Sequence, residues 1–159
     1  MRLFRPYPRI SFARPADAPE LSDLYSRCWK DVAGRLDPEV LAEIMPATAE
    51  VEAWFRGGFE VYRASFDGVL AGVVRVSFPT GAAMLDRLAV APEHRRRGVG
   101  RALVEHAVNR GRKAGVTRAW VHLWPQLEEA MALHRSVGFR ESHRRPAQGG
   151  ELVLLELPL

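Results

Sequence analysis

The chain has 159 residues, 47% of them hydrophobic and 26% charged, the balance of one soluble domain rather than of two domains or a disordered chain. At about 150 residues a folded chain hides roughly 70% of the surface its unfolded form exposes, so no disulfide or metal staple is needed; Cys28, the single cysteine, excludes a disulfide scaffold or a four-cysteine zinc site and leans towards a reducing compartment, the cytoplasm. The net charge of +4 favours anionic ligands but is too small to imply nucleic-acid binding, and every apolar run stops well short of the roughly 18 residues of a membrane helix.

Residues 1–9 interleave Arg2, Arg5 and Arg9 with Pro6 and Pro8 and lack the apolar block of a secretory signal. They read as a short arm before a single domain over residues 10–159. Ile10, Phe12 and Arg14 alternate as in a half-buried strand, which Pro15 stops. Asp17 is placed to cap a helix running to about Val32, with Leu21, Leu24, Tyr25 and Cys28 at helical spacing. Gly34 breaks it, and Asp37-Pro38 opens a second helix with Val40, Leu41, Ile44 and Met45 as its apolar stripe. Beyond Pro46, Val51, Trp54 and Phe55 predict a further helical turn or two, ended by Gly57-Gly58.

The period then changes. Phe59 to Phe66 and Val69 to Phe78 are β-branched and aromatic runs joined by Asp67-Gly68, a hairpin signal. Pro79 to Gly81 is another turn, and Ala82 to Val90 the third strand of a meander, ended by Pro92. Gly98 to Ala114 reads as a helix closed by Gly115. Val116 to Trp124 reads as a strand. Leu127 to Val137 is a helix with Leu127, Ala130, Met131, Leu133, His134 and Val137 facing inward, stopped by Gly138. Phe139 to Arg145 and Glu151 to Leu157 form a final hairpin around a Pro146 to Gly150 turn. The sum is one mixed α/β domain without internal repeats or low-complexity tracts.

Chemistry concentrates between Leu85 and Leu103, where a strand passes into a helix through a basic loop punctuated by Gly98 and Gly100. A helix start offers backbone N–H groups without intrahelical partners and about half a positive charge, so an anion there meets donors and field together. Arg95, Arg96 and Arg97 add charge-assisted donors. The pattern predicts a phosphate or pyrophosphate site. A Walker loop would need Lys and Ser or Thr where Arg101 and Ala102 stand, and a dinucleotide fingerprint a third glycine where Leu103 stands.

Arg95, Gly98 and Gly100 satisfy the acetyl-CoA loop pattern of the GCN5-related N-acetyltransferase (GNAT) superfamily: Gln or Arg, two residues, Gly, one residue, Gly or Ala. The chain resembles that family over most of its length, in the opening Arg14-Pro15-Ala16-Asp17-Ala18, the meander, Leu88-Ala89-Val90 before Pro92, the Val137-Gly138-Phe139 helix ending and the Leu-rich last strand. The resemblance implies a central mixed antiparallel and parallel sheet flanked by helices. It implies acetyl-CoA as donor, no metal, and direct attack of a primary amine on the thioester. The pantetheine arm is then expected along Leu88, Ala89 and Val90, with an N–H near Val90 facing the oxyanion. The pyrophosphate is expected on the backbone of Arg96, Arg97, Gly98, Val99, Gly100 and Arg101, with Arg95 as the pattern's first residue.

By the same resemblance His134 stands where many members carry a tyrosine as the proton donor to the leaving thiol; the competing reading is a packed core histidine. Met84 stands where histone-modifying members carry the glutamate base. Asp86, two residues on and on the same strand face, is the nearest replacement, or else an arginine's partner, and His122 on the next strand is a further candidate. Leu127 replaces an asparagine that often contacts the pantetheine region. The acceptor is left open among small amines, protein N-termini and lysines, a homodimer is expected, and membrane or nucleic-acid partners are not. Two alternatives are a non-catalytic acyl-CoA-binding or sensing domain and an anion or nucleic-acid-binding module built on Arg95 to Arg97.

Overall fold

The Asp67-Gly68 turn is formed with both residues at positive φ, 48° and 80°, the twist that joins adjacent antiparallel strands. It links β2 (Glu60–Phe66) and β3 (Val69–Ser77), and β4 (Ala83–Val90) completes the meander. The computed structural model describes residues 6–159; residues 1–5 of the expected arm lie outside the described residues. β1 (Arg9–Phe12) pairs antiparallel with β2. With β5 (Arg118–Leu123), β6 (Arg140–Ala147) and β7 (Gly150–Pro158) the sheet has seven strands in the order β1-β2-β3-β4-β5-β7-β6, and β4 with β5 is its parallel pair.

Helices cover both faces. On one side α4 (Val99–Lys113) and α5 (Glu128–Val137) bury Leu103, Val104 and Met131 against Leu85, Val121, Phe139 and Leu155. On the other, α1 (Ala18–Lys30) and α3 (Thr48–Arg56) bury Leu21, Leu24, Tyr25, Val51 and Trp54 against Val61, Val73 and Ala89. Leu21 and Leu24 are fully buried, each worth about 2 kcal/mol of transfer from water, which fixes α1 on β4. α2 (Pro38–Ile44) is capped by Asp37, whose carboxylate accepts the Glu39 N–H at 2.9 Å.

Three expectations need correcting. Asp17 stands at the start of α1, but its carboxylate accepts the Arg14 N–H at 2.8 Å rather than an N–H of the helix. The last turn is shorter than Pro146 to Gly150: Pro146 lies within β6 opposite Glu151, tolerated because β6 is an edge strand with no ladder beyond it. The strand from Ala82 to Val90 is also not uniform. Val73 lies opposite Ala89 but Arg75 opposite Asp86, so β4 holds one extra residue, a bulge at Arg87, whose φ is +53°. The bulge switches the sides: Leu85 packs under α4, whereas Ala89 faces α1. Pairing of β4 with β5 is confined to Ala83 with Ala119 and Met84 with Trp120. Beyond them the strands part.

Candidate functional site

The gap exposes β4 backbone. Ala91 N–H donates to the Ala71 carbonyl of the β3 side at 2.8 Å, so alternation turns the N–H and C=O groups of Leu88 and Val90 towards the gap. At its mouth the chain enters α4 through Gly98, left-handed at φ +77°. Arg96 is left-handed too, at φ +61°, and such turns gather successive N–H groups into an anion-binding concavity. The first intrahelical bond is Ala102 N–H to Gly98 C=O at 3.0 Å, which leaves the N–H groups of Val99, Gly100 and Arg101 for a ligand.

These groups line a cleft of about 710 Å³, walled by Cys28 and Trp29 of α1 and by Ala130 and Leu133 of α5. Leu88, Ala89, Val90, Arg95, Arg96, Gly98, Val99, Gly100 and Arg101, all expected at the donor site, lie on it. Arg97 does not. Its guanidinium stacks on Phe66 at 4.0 Å and donates to His94 Nδ1 at 2.9 Å. Arg95 is tied to Asp31 at 2.7 Å and Arg101 to Glu105 at 2.8 Å, so among the described residues Arg96 alone of the three adjacent arginines keeps its side chain without a partner. A phosphate here meets backbone donors first.

The cleft suits a long donor bearing a pyrophosphate and amides. A Cβ at Gly100 would lie 2.9 Å from Leu133 Cδ2, so glycine lets helix and cleft wall approach closely without moving the leucine. The indole N–H of Trp29 is buried with no partner among the described residues. Among the described residues no three His, Cys, Asp or Glu side chains gather as metal ligands.

The candidate acid and base are placed differently. His134 is 1% exposed, and its Nδ1 lies 2.8 Å from the Ala130 carbonyl. A carbonyl only accepts, so Nδ1 carries the proton and Nε2 is bare in the neutral ring. Burial pushes its pKa down, more than the Ala130 bond raises it, and its ring packs edge-on to Phe139 at 5.5 Å. Asp86 gives both carboxylate oxygens to Arg75, at 2.7 and 2.6 Å. The Arg75 guanidinium lies 4.0 Å from the Phe59 ring centroid and 4.7 Å from that of Trp54. His122 follows the last β4–β5 pair on β5 and shares a face with Trp120, rings 4.9 Å apart. Neither of its nitrogens has a hydrogen-bond partner among the described residues. Burial lowers its pKa, and the charges of Arg145 and His143 lower it further.

Comparison with known proteins decides the class. Residues 18–139 match the Acetyltransferase (GNAT) family. The chain belongs to that family. The acetyltransferase is 30% identical over 104 residues to the [ribosomal protein bS18]-alanine N-acetyltransferase of Escherichia coli K12, spanning 62% of this chain and 70% of the relative. Its fold is shared with PaiA N-acetyltransferase of Thermoplasma acidophilum, solved in complex with coenzyme A (TM-score 0.81, 17% identity, 97% of this chain and 100% of that one). It is shared as well with ribosomal-protein-alanine N-acetyltransferase of Brucella melitensis (TM-score 0.77, 23% identity, 95% and 99%). Membership makes the chain an acetyl-CoA-dependent N-acetyltransferase and sets aside the sensing and nucleic-acid alternatives.

Sequence reasoning passed over the residues that hold the acetyltransferase's gap in shape. Arg87 carries the bulge, its side chain donates to the Ile44 carbonyl at 3.0 Å, and its own carbonyl accepts the Tyr25 hydroxyl at 2.5 Å. Tyr25 and Cys28 were visible only as members of an apolar stripe, and nothing in the sequence marks a bulge at an arginine. Arg144 pairs with Glu141 at 2.6 Å, while Arg145 shares the His122 face through Leu152 and Leu154.

Proposed function

We propose that the acetyltransferase acts on the α-amine of a peptide or protein N-terminus, with His122 receiving the amine's proton. The observation that carries the acceptor is the likeness to enzymes named for acetylating an alanine of ribosomal protein bS18. An alanine side chain has no nitrogen, so the amine of an alanine in a protein is its α-amine, free only at the N-terminus. A place for such a chain is offered by the sheet: β6 is exposed over most of its length, and Trp120 and His122 lie half-buried on one face of β5.

The roles follow from chemistry. Amides of the Gly98 to Arg101 turn hold the donor's pyrophosphate, and the groups of Leu88 hold its amide-bearing arm. Val90 N–H faces the thioester oxygen, where charge develops as the amine attacks; the C–S bond then breaks as the carbonyl re-forms, and coenzyme A leaves as the thiolate, which takes its proton from solvent. The base must be unprotonated and free to accept. His122 meets both conditions, whereas Met84 has no basic atom and the Asp86 oxygens are occupied by Arg75. Asp86 with Arg75 then braces the face, and His134 packs under the cleft. Cytoplasmic location is supported by the single thiol, and a homodimer by the free edges β1 and β6. Among the described residues no helix is long and apolar enough to cross a membrane.

The test is transfer from acetyl-CoA to three acceptors, read by mass spectrometry: a peptide with a free N-terminal alanine and no lysine, the same peptide N-blocked with one lysine added, and a panel of small amines. Acetylation of the first with kcat/KM at least about tenfold above the others is the expected result. A preference for small amines would overturn it, in line with the 35% identity over 75 residues to streptothricin acetyltransferase of Streptomyces lavendulae, 40% of that enzyme's length.

A further inference from the structure

We propose that Cys28 and Tyr25 are positioning residues for the transfer step: from α1 they hold the carbonyls of Val90 and Arg87, and so fix the stretch of β4 that carries the gap-facing N–H of Val90. The proposal rests on the reading in which that N–H meets the thioester oxygen.

The two side chains lie three residues apart and therefore side by side on α1. Cys28 Sγ is 3.1 Å from the Val90 carbonyl and Tyr25 Oη 2.5 Å from that of Arg87. Both are buried, Cys28 at 8% exposure and Tyr25 completely. In an ordinary sheet interior the Val90 carbonyl would accept from the neighbouring strand, but β5 has parted from β4 by then. The thiol takes the place of that missing strand. It also covers a lone pair lying on the same side as Val90 N–H, where a bare carbonyl would repel the negative charge forming on the thioester oxygen.

The clamp is two-sided. The peptide after Val90 is held at its oxygen by Cys28 and at its nitrogen by the Ala71 carbonyl at 2.8 Å. Arg87, in a left-handed conformation that a non-glycine residue keeps only when its surroundings impose it, is held by Tyr25 at its carbonyl and by Ile44 at its guanidinium. Burial pushes both the thiol and the phenol pKa up, so each side chain stays protonated and able to donate.

Cys28→Ala and Cys28→Ser differ by one hydroxyl and separate donation from packing. With acetyl-CoA and the N-terminal-alanine peptide, Cys28→Ala is expected to lower kcat about tenfold, since misplacing a reacting group by an ångström costs up to about 10²-fold. Cys28→Ser is expected to recover most of that loss. Affinity for coenzyme A, which has no thioester carbonyl, stays within about twofold in both variants. Tyr25→Phe, followed by Tm in parallel, lowers kcat in the same way at the Arg87 carbonyl. Wild-type kcat in Cys28→Ala, equal kcat in the Ala and Ser variants, or a loss of coenzyme A affinity matching the loss of kcat would overturn the positioning role alone. Absence of transfer by the wild-type protein would overturn the reading beneath it as well.

Discussion

Gly98→Val weakens acetyl-CoA binding by about two orders of magnitude while the fold persists. Gly98 caps α4 at φ +77°, where a β-branched side chain is strained by about 1–2 kcal/mol. A Cβ there has no protein atom within 4 Å, so the strain is relieved by turning the backbone rather than by moving a neighbour. That turn carries the N–H groups of Gly98 and Val99 away from the cleft. Losing two charge-assisted bonds of about 1.5 kcal/mol each lowers affinity about 100-fold. Calorimetric titration checks the affinity and thermal unfolding checks the fold. Near wild-type affinity in a folded variant would remove the pyrophosphate from this turn.

Loss of the His122 imidazole has the second large effect. His122→Gln is expected to lower kcat by about 10²–10³, the usual worth of a positioned base, with coenzyme A affinity unchanged. The pH dependence has a definite sign. The base works uncharged, so kcat falls as pH drops through the His122 pKa, and burial together with Arg145 and His143 sets that pKa below the ordinary 6.5. The His122 limb therefore lies on the acid side of the acceptor amine's own titration, which falls at about 8. Arg145→Ala removes one of the charges and moves the acid limb to higher pH. His134→Gln, by contrast, should keep kcat within about threefold and show its cost as a lowered Tm, as removal of a packed buried side chain does. Wild-type kcat in His122→Gln, with the loss falling on His134→Gln instead, would return proton transfer to His134.

How much was legible in the sequence depended on whether a residue announces its backbone. Gly98 and Gly100 between arginines, Asp67-Gly68 in a turn and Gly138 after a helix each state a conformation that other residues avoid, and loop, hairpin and helix end stand where they were expected. Arg87 announces nothing. Its left-handed conformation is imposed by Tyr25, Ile44 and the β3 register, contacts spread over three elements, so the bulge that opens the gap could not be read locally. Asp86 shows the same limit: its residue type suits a base, but its partner Arg75 is chosen by the pairing of β3 with β4 across that bulge. His134 was recognised by position along the chain, and only the packed helix shows Nδ1 bonded to Ala130. Pro146 misled in the other direction, since an edge strand tolerates the residue that usually marks a turn.

Acetyl-CoA is expected in the cleft between α1, the Gly98 turn and α5. Calorimetric titration of the wild-type protein with acetyl-CoA, with ATP and NAD as controls and at two salt concentrations, tests this most directly. The expected result is one-to-one binding of acetyl-CoA with only modest salt dependence, because backbone amides rather than the arginine side chains carry most of the contact, and much weaker binding of ATP and NAD. Equal binding of all three ligands, or affinity that collapses with salt, would contradict it.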